Sequence, residues 1–318
     1  MKRILITGAA GFIGSHLAER LLERGDQVVG VDSLNDYYDP ALKERNVSAA
    51  LEHDAYSLFR DDICDSGRVF EIFELAQPEV VVHLAARAGV RPSLADPNLY
   101  HRVNVIGSQH ILDACRSASR LSHLVFASSS SVYGGCTDVP FREDHPVNRP
   151  ISPYASTKRM NELQAHVYSH VYGLHVTMLR FFTVYGPRQR PDMAIHKFTR
   201  LIDAGEPVPM YGDGLTARDY TYIDDIMDGV LKAVDTPFRY EIFNLGEHAT
   251  TPLRDLIEMI ARHVGKPARI EQLPLQAGDV AITYADISHA QELLGYRPGI
   301  AMEEGIARFV AWYKDTQA

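Results

Sequence analysis

The chain has 318 residues, 46% hydrophobic and 23% charged, which excludes disorder and collagen-like repeats and fits one large or two small domains. Lys and Arg total 32 against 41 for Asp and Glu, a formal charge of −9, which argues against a binder of nucleic-acid phosphates. No apolar run approaches the ~20 residues that cross a bilayer, and MKRILITGAAGFIG lacks a signal peptide's long apolar core, so the expectation is a cytoplasmic protein without membrane partners.

In chain order, Arg3–Thr7 predicts a strand and Phe12–Arg24 a helix that Gly25 stops. Strands follow at Gln27–Asp32, Tyr56–Asp61, Val80–Leu84 and Leu124–Ser128, with helices at Gly67–Ala76 and Val103–Arg116 between them. A helix over Ser156–Tyr172 leads to a strand at His175–Arg180. The strands are apolar throughout rather than alternating, which suits a parallel sheet covered on both faces. The predicted fold is therefore α/β, a Rossmann-type doubly wound parallel sheet.

From Phe182 the pattern changes. Pro187, Pro191, Pro207 and Pro209 cluster, Tyr211 opens a Gly-rich loop, and sheet-like sequence returns at Glu241–Leu245. This predicts a smaller C-terminal lobe (182–318) interleaved with the first unit (1–181), with return segments near 218–248. Cys64, Cys115 and Cys136 form no CxxC pair, and the 14 histidines include no HExxH. Free thiols are expected, and no metal site.

Thr7-Gly8-Ala9-Ala10-Gly11-Phe12-Ile13-Gly14 joins the first strand to the first helix. Gly8 permits a tight turn, Gly11 a close approach of backbone to pyrophosphate, and Gly14 close helix packing. Asp32, ending the second strand, would accept both adenosine ribose hydroxyls and repel a 2′-phosphate. Ser33-Leu34-Asn35 offer no arginine, so the cofactor predicted is NAD rather than NADP. Asp62 and Ile63 are candidates for the adenine edge.

Ser152-Pro153 reads as a helix start, which sets Tyr154 and Lys158 four residues apart on one face. A tyrosine of pKa about 10 is a poor base at neutral pH, and an adjacent ammonium favours its phenolate. The serines of 128–131 close the fifth strand, at the sheet end that faces the ligand crevice.

The motifs TGAAGFIG, SSSSVYG and PYASTK resemble the extended short-chain dehydrogenase/reductase family, over essentially the whole chain. By that resemblance, Ser129, Tyr154 and Lys158 are the catalytic triad, Leu84, Ala85 and Ala86 line the NAD, and Asn104 supports the active-site helix. It makes 1–181 the NAD-binding domain and 182–318 a UDP-sugar lobe. Related dehydratases and decarboxylases carry a carboxylate just before Val-Tyr-Gly, where this chain has Ser129-Ser130-Ser131.

The run from Arg180 to Ala194, and Gly212-Asp213-Gly214 followed by Arg218-Asp219-Tyr220, resemble UDP-glucuronate 4-epimerases. So does Gln276 three residues before Asp279, where UDP-glucose 4-epimerases have Arg. The resemblance implies that Arg218 clamps the diphosphate, helped by Arg188 or Arg87, that Asp279 takes the uridine ribose, and that Tyr211 lies near the uracil. It implies reversible C4 epimerisation of UDP-glucuronate to UDP-galacturonate through a 4-keto intermediate on tightly bound NAD. A UDP-glucose/UDP-galactose 4-epimerase is the alternative. Ser130, Ser131, Thr183 and Arg190 are candidates to hold the sugar carboxylate. The family also implies a homodimer through the helices near Val103–Arg116 and Ser156–Tyr172.

Overall fold

The computed structural model describes residues 1–274 and 280–317. Its first half runs β1 (Arg3–Thr7), α1 (Phe12–Glu23), β2 (Gln27–Val31), α2 (Pro40–Leu51), β3 (Tyr56–Phe59), α3 (Ser66–Ala76) and β4 (Val80–His83). The short helices α4 (Val90–Ala95) and α5 (Pro97–Tyr100) lead through a widened helical stretch, His101–Gly107, into α6 (Ser108–Ser117). Then come β5 (His123–Ser129), α7 (Pro153–Tyr172) and β6 (Val176–Phe181).

The second half contains β7 (Thr183–Tyr185), α8 (Ala194–Ala204), β8 (Pro207–Tyr211), β9 (Ala217–Arg218), β10 (Tyr220–Tyr222), α9 (Ile223–Asp235) and β11 (Tyr240–Leu245). It ends with β12 (Thr251–Pro252), α10 (Leu253–Val264), β13 (Arg269–Leu273), α11 (Ser288–Leu294) and α12 (Met302–Gln317).

Seven strands form one parallel sheet in the order β11-β6-β5-β4-β1-β2-β3. Its two faces bury different residues. Ile4, Ile6 and Val82 pack under Leu17 and Leu21 of α1 and Ile226 and Val230 of α9. Leu5 and Val81 pack under Val69 and Ile72 of α3, Ile111 and Leu112 of α6, and Ala165 of α7. Strands buried on both faces read as continuous apolar runs for this reason.

One difference from the sequence reading has a physical cause. Helix α2 was not predicted, because the apolar residues of PALKERNVSAAL do not gather into one strong stripe; its start is nonetheless marked, since the Asp39 side chain accepts the Ala41 amide and Pro40 follows. The second half, beyond the change of pattern at Phe182, holds helices of 11 to 16 residues. Within 218–248, β11 joins the central sheet, whereas β9 and β10 pair outside it with β12 and β7. Among the described residues, no helix is long and apolar enough to cross a membrane.

Candidate active site

The sheet order reverses between β1 and β4, and the crevice outside their carboxyl ends collects the glycine-rich motif. Gly8 has φ +74°, and a side chain there would meet the Ala85 backbone nitrogen at 2.8 Å. Gly11 donates its amide to the Gly8 carbonyl at 3.1 Å. It precedes α1, whose first turn has no side-chain cap, so the amides after it suit an anion. A Cβ on Gly14 would run into the Gly8 carbonyl, so this glycine serves its own loop rather than packing on the sheet. The loops 8–14 and 84–86 thus form a cradle that side chains would fill, and a dinucleotide pyrophosphate fits it.

Asp32 accepts the amides of Ala10 (3.1 Å) and Leu34 (2.9 Å). Beside it stands Lys43 of α2, its Nζ 3.9 Å from Asp32 Oδ1 and 3.0 Å from the Asn35 carbonyl. The cation that Ser33-Leu34-Asn35 lack is therefore supplied from α2, and Asp32 neutralises it. Burial lowers the Lys43 pKa, and the charge of Asp32 opposes that. Asn46 of the same helix donates to the Ala10 carbonyl at 3.1 Å. Exposed Asp62 accepts the Cys64 amide at 2.9 Å, and Ile63 is buried, its carbonyl hydrogen-bonded to His110.

Ser152 caps α7 as expected, accepting the Ala155 amide at 3.1 Å. Tyr154 in the first turn faces Ser129 at the end of β5, close enough for the serine hydroxyl to lower its pKa. One turn on, Lys158 donates to the Ala127 carbonyl at 2.8 Å. Burial lowers the Lys158 pKa to about 8, against the charge of Glu162. The tyrosine departs from expectation. Burial raises its pKa, and the effects opposing this come from the Ser129 hydrogen bond and the charge of Arg190. Arg190 is a cation that acts on the phenol.

Asn104 is fully buried in the widened helical stretch. It brackets Arg87, accepting its amide at 2.8 Å and donating to its carbonyl at 2.9 Å, and also donates to Thr157 of α7. The catalytic helix is thereby tied to the loop after β4.

Ser130, Ser131, Thr183, Arg218 and Thr283 line one cleft, whose lining includes no carboxylate among the described residues. Arg190 stands on the Tyr154 side, bound to Asp192 through Nε (2.9 Å) and Nη2 (2.7 Å). Its guanidinium and that of Arg87 each lie 5.2 Å from the centre of the Tyr37 ring. Tyr211 receives Arg91 over its ring at 4.8 Å. Arg188 does not join Arg218: it pairs with Glu19 of α1 at 2.7 Å. Asp279 and Gln276 lie outside the described residues.

Sequence reasoning missed Lys43, Asn46, Glu162 and Arg180. The last two had a visible signal: Glu162 lies four residues beyond Lys158, and Arg180 is the one charge within a strand of otherwise uncharged residues.

The family model described as GDP-mannose 4,6 dehydratase matches residues 5–309. The chain belongs to the extended short-chain dehydrogenase/reductase family. An uncharacterized protein of Methanocaldococcus jannaschii is 45% identical over 99% of this chain and 97% of its own length. The UDP-glucuronate 4-epimerase of Thermodesulfobacterium geofontis is 43% identical, covering 98% and 96%. Among solved structures, the UDP-glucuronic acid 4-epimerase of Bacillus cereus, in complex with UDP-glucuronic acid and NAD, is 36% identical. It superposes with a TM-score of 0.93, covering 98% of this chain and 99% of its own.

Proposed function

We propose that this member of the extended short-chain dehydrogenase/reductase family interconverts UDP-glucuronate and UDP-galacturonate at C4 through a 4-keto sugar, with NAD as a resident cofactor. The observation that carries the reading is a cleft lined by Ser130, Ser131, Thr183 and Arg218 and by no carboxylate among the described residues, together with the charge of Arg190 acting on Tyr154. Elimination of water needs an acid/base besides the tyrosine, and the cleft lining offers none. A neutral hexose would leave a cation beside C4 without a partner on the sugar. UDP-glucuronate brings that partner.

The cradle of Gly8, Gly11, Phe12, Ile13, Gly14, Leu84, Ala85 and Ala86, with Asp32 at the ribose and Asp62 and Ile63 at the adenine, would hold NAD. NAD, when bound, supplies the reversible acceptor for the C4 hydrogen with its electron pair. Tyr154 takes the proton of the 4-hydroxyl and returns it after the sugar has turned over, Ser129 orienting that hydroxyl. Lys158 keeps an ammonium beneath the site through Ala127.

A 4-ketone beside the C5 carboxylate makes a β-keto acid, which loses CO₂ unless the carboxylate charge stays localised. Charge-assisted bonds from Arg190, with the hydroxyls of Ser130, Ser131 and Thr183, serve that purpose. Asp192 takes only the Nε–Nη2 edge of Arg190, which leaves Nη1 for a ligand among the described contacts. Arg218 would clamp the diphosphate, with Asp279 and Tyr211 for the uridine.

Two further features belong to the same reading. Met160, Leu163, Val167 and Val171 form an apolar stripe on α7, 39 to 60% exposed, with Ile106 nearby in sequence to α6. Such a stripe suits a second copy of the chain, hence a homodimer. Cys64, Cys115 and Cys136 are all free thiols, which fits a reducing cytoplasmic setting.

The deciding experiment mixes the protein as purified with UDP-glucuronate, without added NAD, and follows proton NMR. A mixture of UDP-glucuronate and UDP-galacturonate supports the reading and a resident cofactor together. A UDP-pentose product would show that the carboxylate is not protected. Turnover of UDP-glucose alone would replace the reading with the neutral-sugar epimerase.

A further inference from the structure

Three residues of the proposed substrate cleft, Thr183, Arg218 and Thr283, come from three separate segments. One residue touches the backbone of all three. Asp219 follows Arg218 directly, and its carbonyl accepts the Thr183 amide at 3.0 Å. Its own amide donates to the Thr283 carbonyl (2.9 Å) and to the Thr283 hydroxyl (3.1 Å). The side chain is fully buried, and four groups donate to its two oxygens. The Glu247 amide (2.8 Å) and the Thr221 hydroxyl (3.2 Å) meet Oδ1. The His248 (3.2 Å) and Ala285 (3.1 Å) amides meet Oδ2.

A buried carboxylate with this many donors is a charge-assisted hub, and each bond is stronger than a neutral one. Gly246 belongs to the same arrangement: a Cβ there would approach Asp219 Oδ2 to 3.0 Å and the Ala285 Cβ to 2.5 Å. The segment after β11 is thus held against the segment after Thr283, with Asp219 between them.

We infer that Asp219 is the positioning residue of the sugar-nucleotide site, holding Thr183, Arg218 and Thr283 as one wall so that substrate affinity, rather than the proton chemistry at Tyr154, depends on its carboxylate. The inference rests on the proposed binding of a UDP-sugar, but not on which epimer pair is turned over.

The hub titrates in an accessible range. Burial pushes the Asp219 carboxyl up to about 6, against its four donors. The charged and titratable groups around it are Arg218 on β9, Glu247 and His248 after β11, Asp225 on α9, and Tyr296. Glu247 is pushed up to about 8, by burial first and then by Asp225 and Asp219. It is therefore already protonated where Asp219 takes up its proton. As pH falls through 6, Asp219 loses its charge, its donors are held less firmly, and the wall loosens.

The test is titration calorimetry of UDP-glucuronate into the NAD-loaded protein carrying Tyr154→Phe, which stops turnover. Adding Asp219→Asn should weaken binding about tenfold, because a neutral amide replaces the charged acceptor and turns an NH₂ group toward N–H donors. Dinucleotide content, measured after acid release, should stay at the parent level, since the cradle lies across the crevice. In the active protein the same change should raise KM more than it lowers kcat. A purely structural role would instead cost dinucleotide content, kcat and KM together.

Should Asp219→Asn not fold, the parent decides alone: its affinity should fall between pH 7 and 5, whereas a flat profile overturns the inference. Thr221→Val, which removes one donor, should weaken binding less and in the same direction. Equal affinity of the Asp219→Asn protein and its parent would overturn the positioning role while leaving the proposed function standing. Absence of binding in the parent would overturn both.

Discussion

Glu162 and Arg180 form a two-pronged ion pair beneath the serine-bearing end of β5, with Nε to Oε1 at 2.9 Å and Nη2 to Oε2 at 3.0 Å. Neither is more than 1% exposed. The Ser128 hydroxyl donates to Glu162 Oε1 at 2.6 Å, and Arg159 adds a bond to Oε2 at 2.9 Å. The remaining nitrogen of Arg180 reaches the Tyr133 hydroxyl (2.9 Å) and the Glu143 carbonyl (3.2 Å). The pair therefore joins α7, β5, β6 and the loop after β5.

Removing one partner of a buried pair costs far more than the pair itself contributes, because the other charge is stranded. Arg180→Met should lower stability by about 3–5 kcal/mol, read from the denaturant midpoint. Glu162→Gln should also lower the Lys158 pKa, since Glu162 is the group that supports its ammonium. A loss below about 1 kcal/mol for Arg180→Met would mean that Arg159 and solvent take over the role.

Tyr154 offers a pH test of the proposed chemistry. Burial raises its pKa, Ser129 and Arg190 lower it, and the base form is the phenolate. The rate should therefore fall as pH falls, and Arg190→Met should move that limb to higher pH by removing an opposing cation. Tyr154→Phe should abolish turnover with the fold intact, and Ser129→Ala should reduce kcat by about 10²-fold. An Arg190→Met profile superimposable on the parent's, apart from its height, would show that the guanidinium does not act on the phenol.

The central sheet was legible because strands buried on both faces must be apolar and their connections must be helical. Tyr154, Ser129, Asp32 and the three glycines stood out for a similar reason, since each sits at a strand end or helix start fixed by short-range signals. Lys43, Glu162 and Asp219 did not stand out. Lys43 meets Asp32 from a polar helix 11 residues on, Glu162 meets Arg180 across two elements, and the donors of Asp219 come from up to 66 residues away. No local pattern records such partners. Helical spacing set Lys158 one turn from Tyr154, but it did not record the carbonyl of Ala127 that engages its ammonium.

The apolar stripe of α7 gives a test of assembly. Leu163 is 52% exposed and Val167 50%, one turn apart on a helix whose other face is packed on β5 and β6. If a second copy covers them, Leu163→Glu with Val167→Glu should convert a dimer into a monomer in sedimentation velocity, because two carboxylates would be desolvated at the contact. An unchanged sedimentation coefficient for the double variant would remove α7 from the interface.

Acid lability has an assignable source in two buried histidines. His83 bonds the hydroxyls of Thr7 (2.6 Å) and Ser108 (2.9 Å) under the cofactor cradle, and burial, then the Lys158 charge, lower its pKa to about 3. His123 bonds Thr177 at 2.8 Å and is lowered to about 4, by burial first and then by His175 and Lys2. Both stay neutral in the folded chain, whereas an unfolded histidine takes a proton below about pH 6.5. The unfolded state then binds more protons, so stability declines as pH drops from 6.5 toward 4 for His123 and toward 3 for His83. The His123 share is on the order of 3 kcal/mol. Asp219 and Glu247, with their raised pKa values, oppose this, so the comparison must be between variants at each pH. His123→Gln, which keeps a partner for Thr177 without a titrating ring, should flatten the stability profile from pH 6.5 to 4. A profile as steep as the parent's would clear His123 and leave His83 to carry the effect.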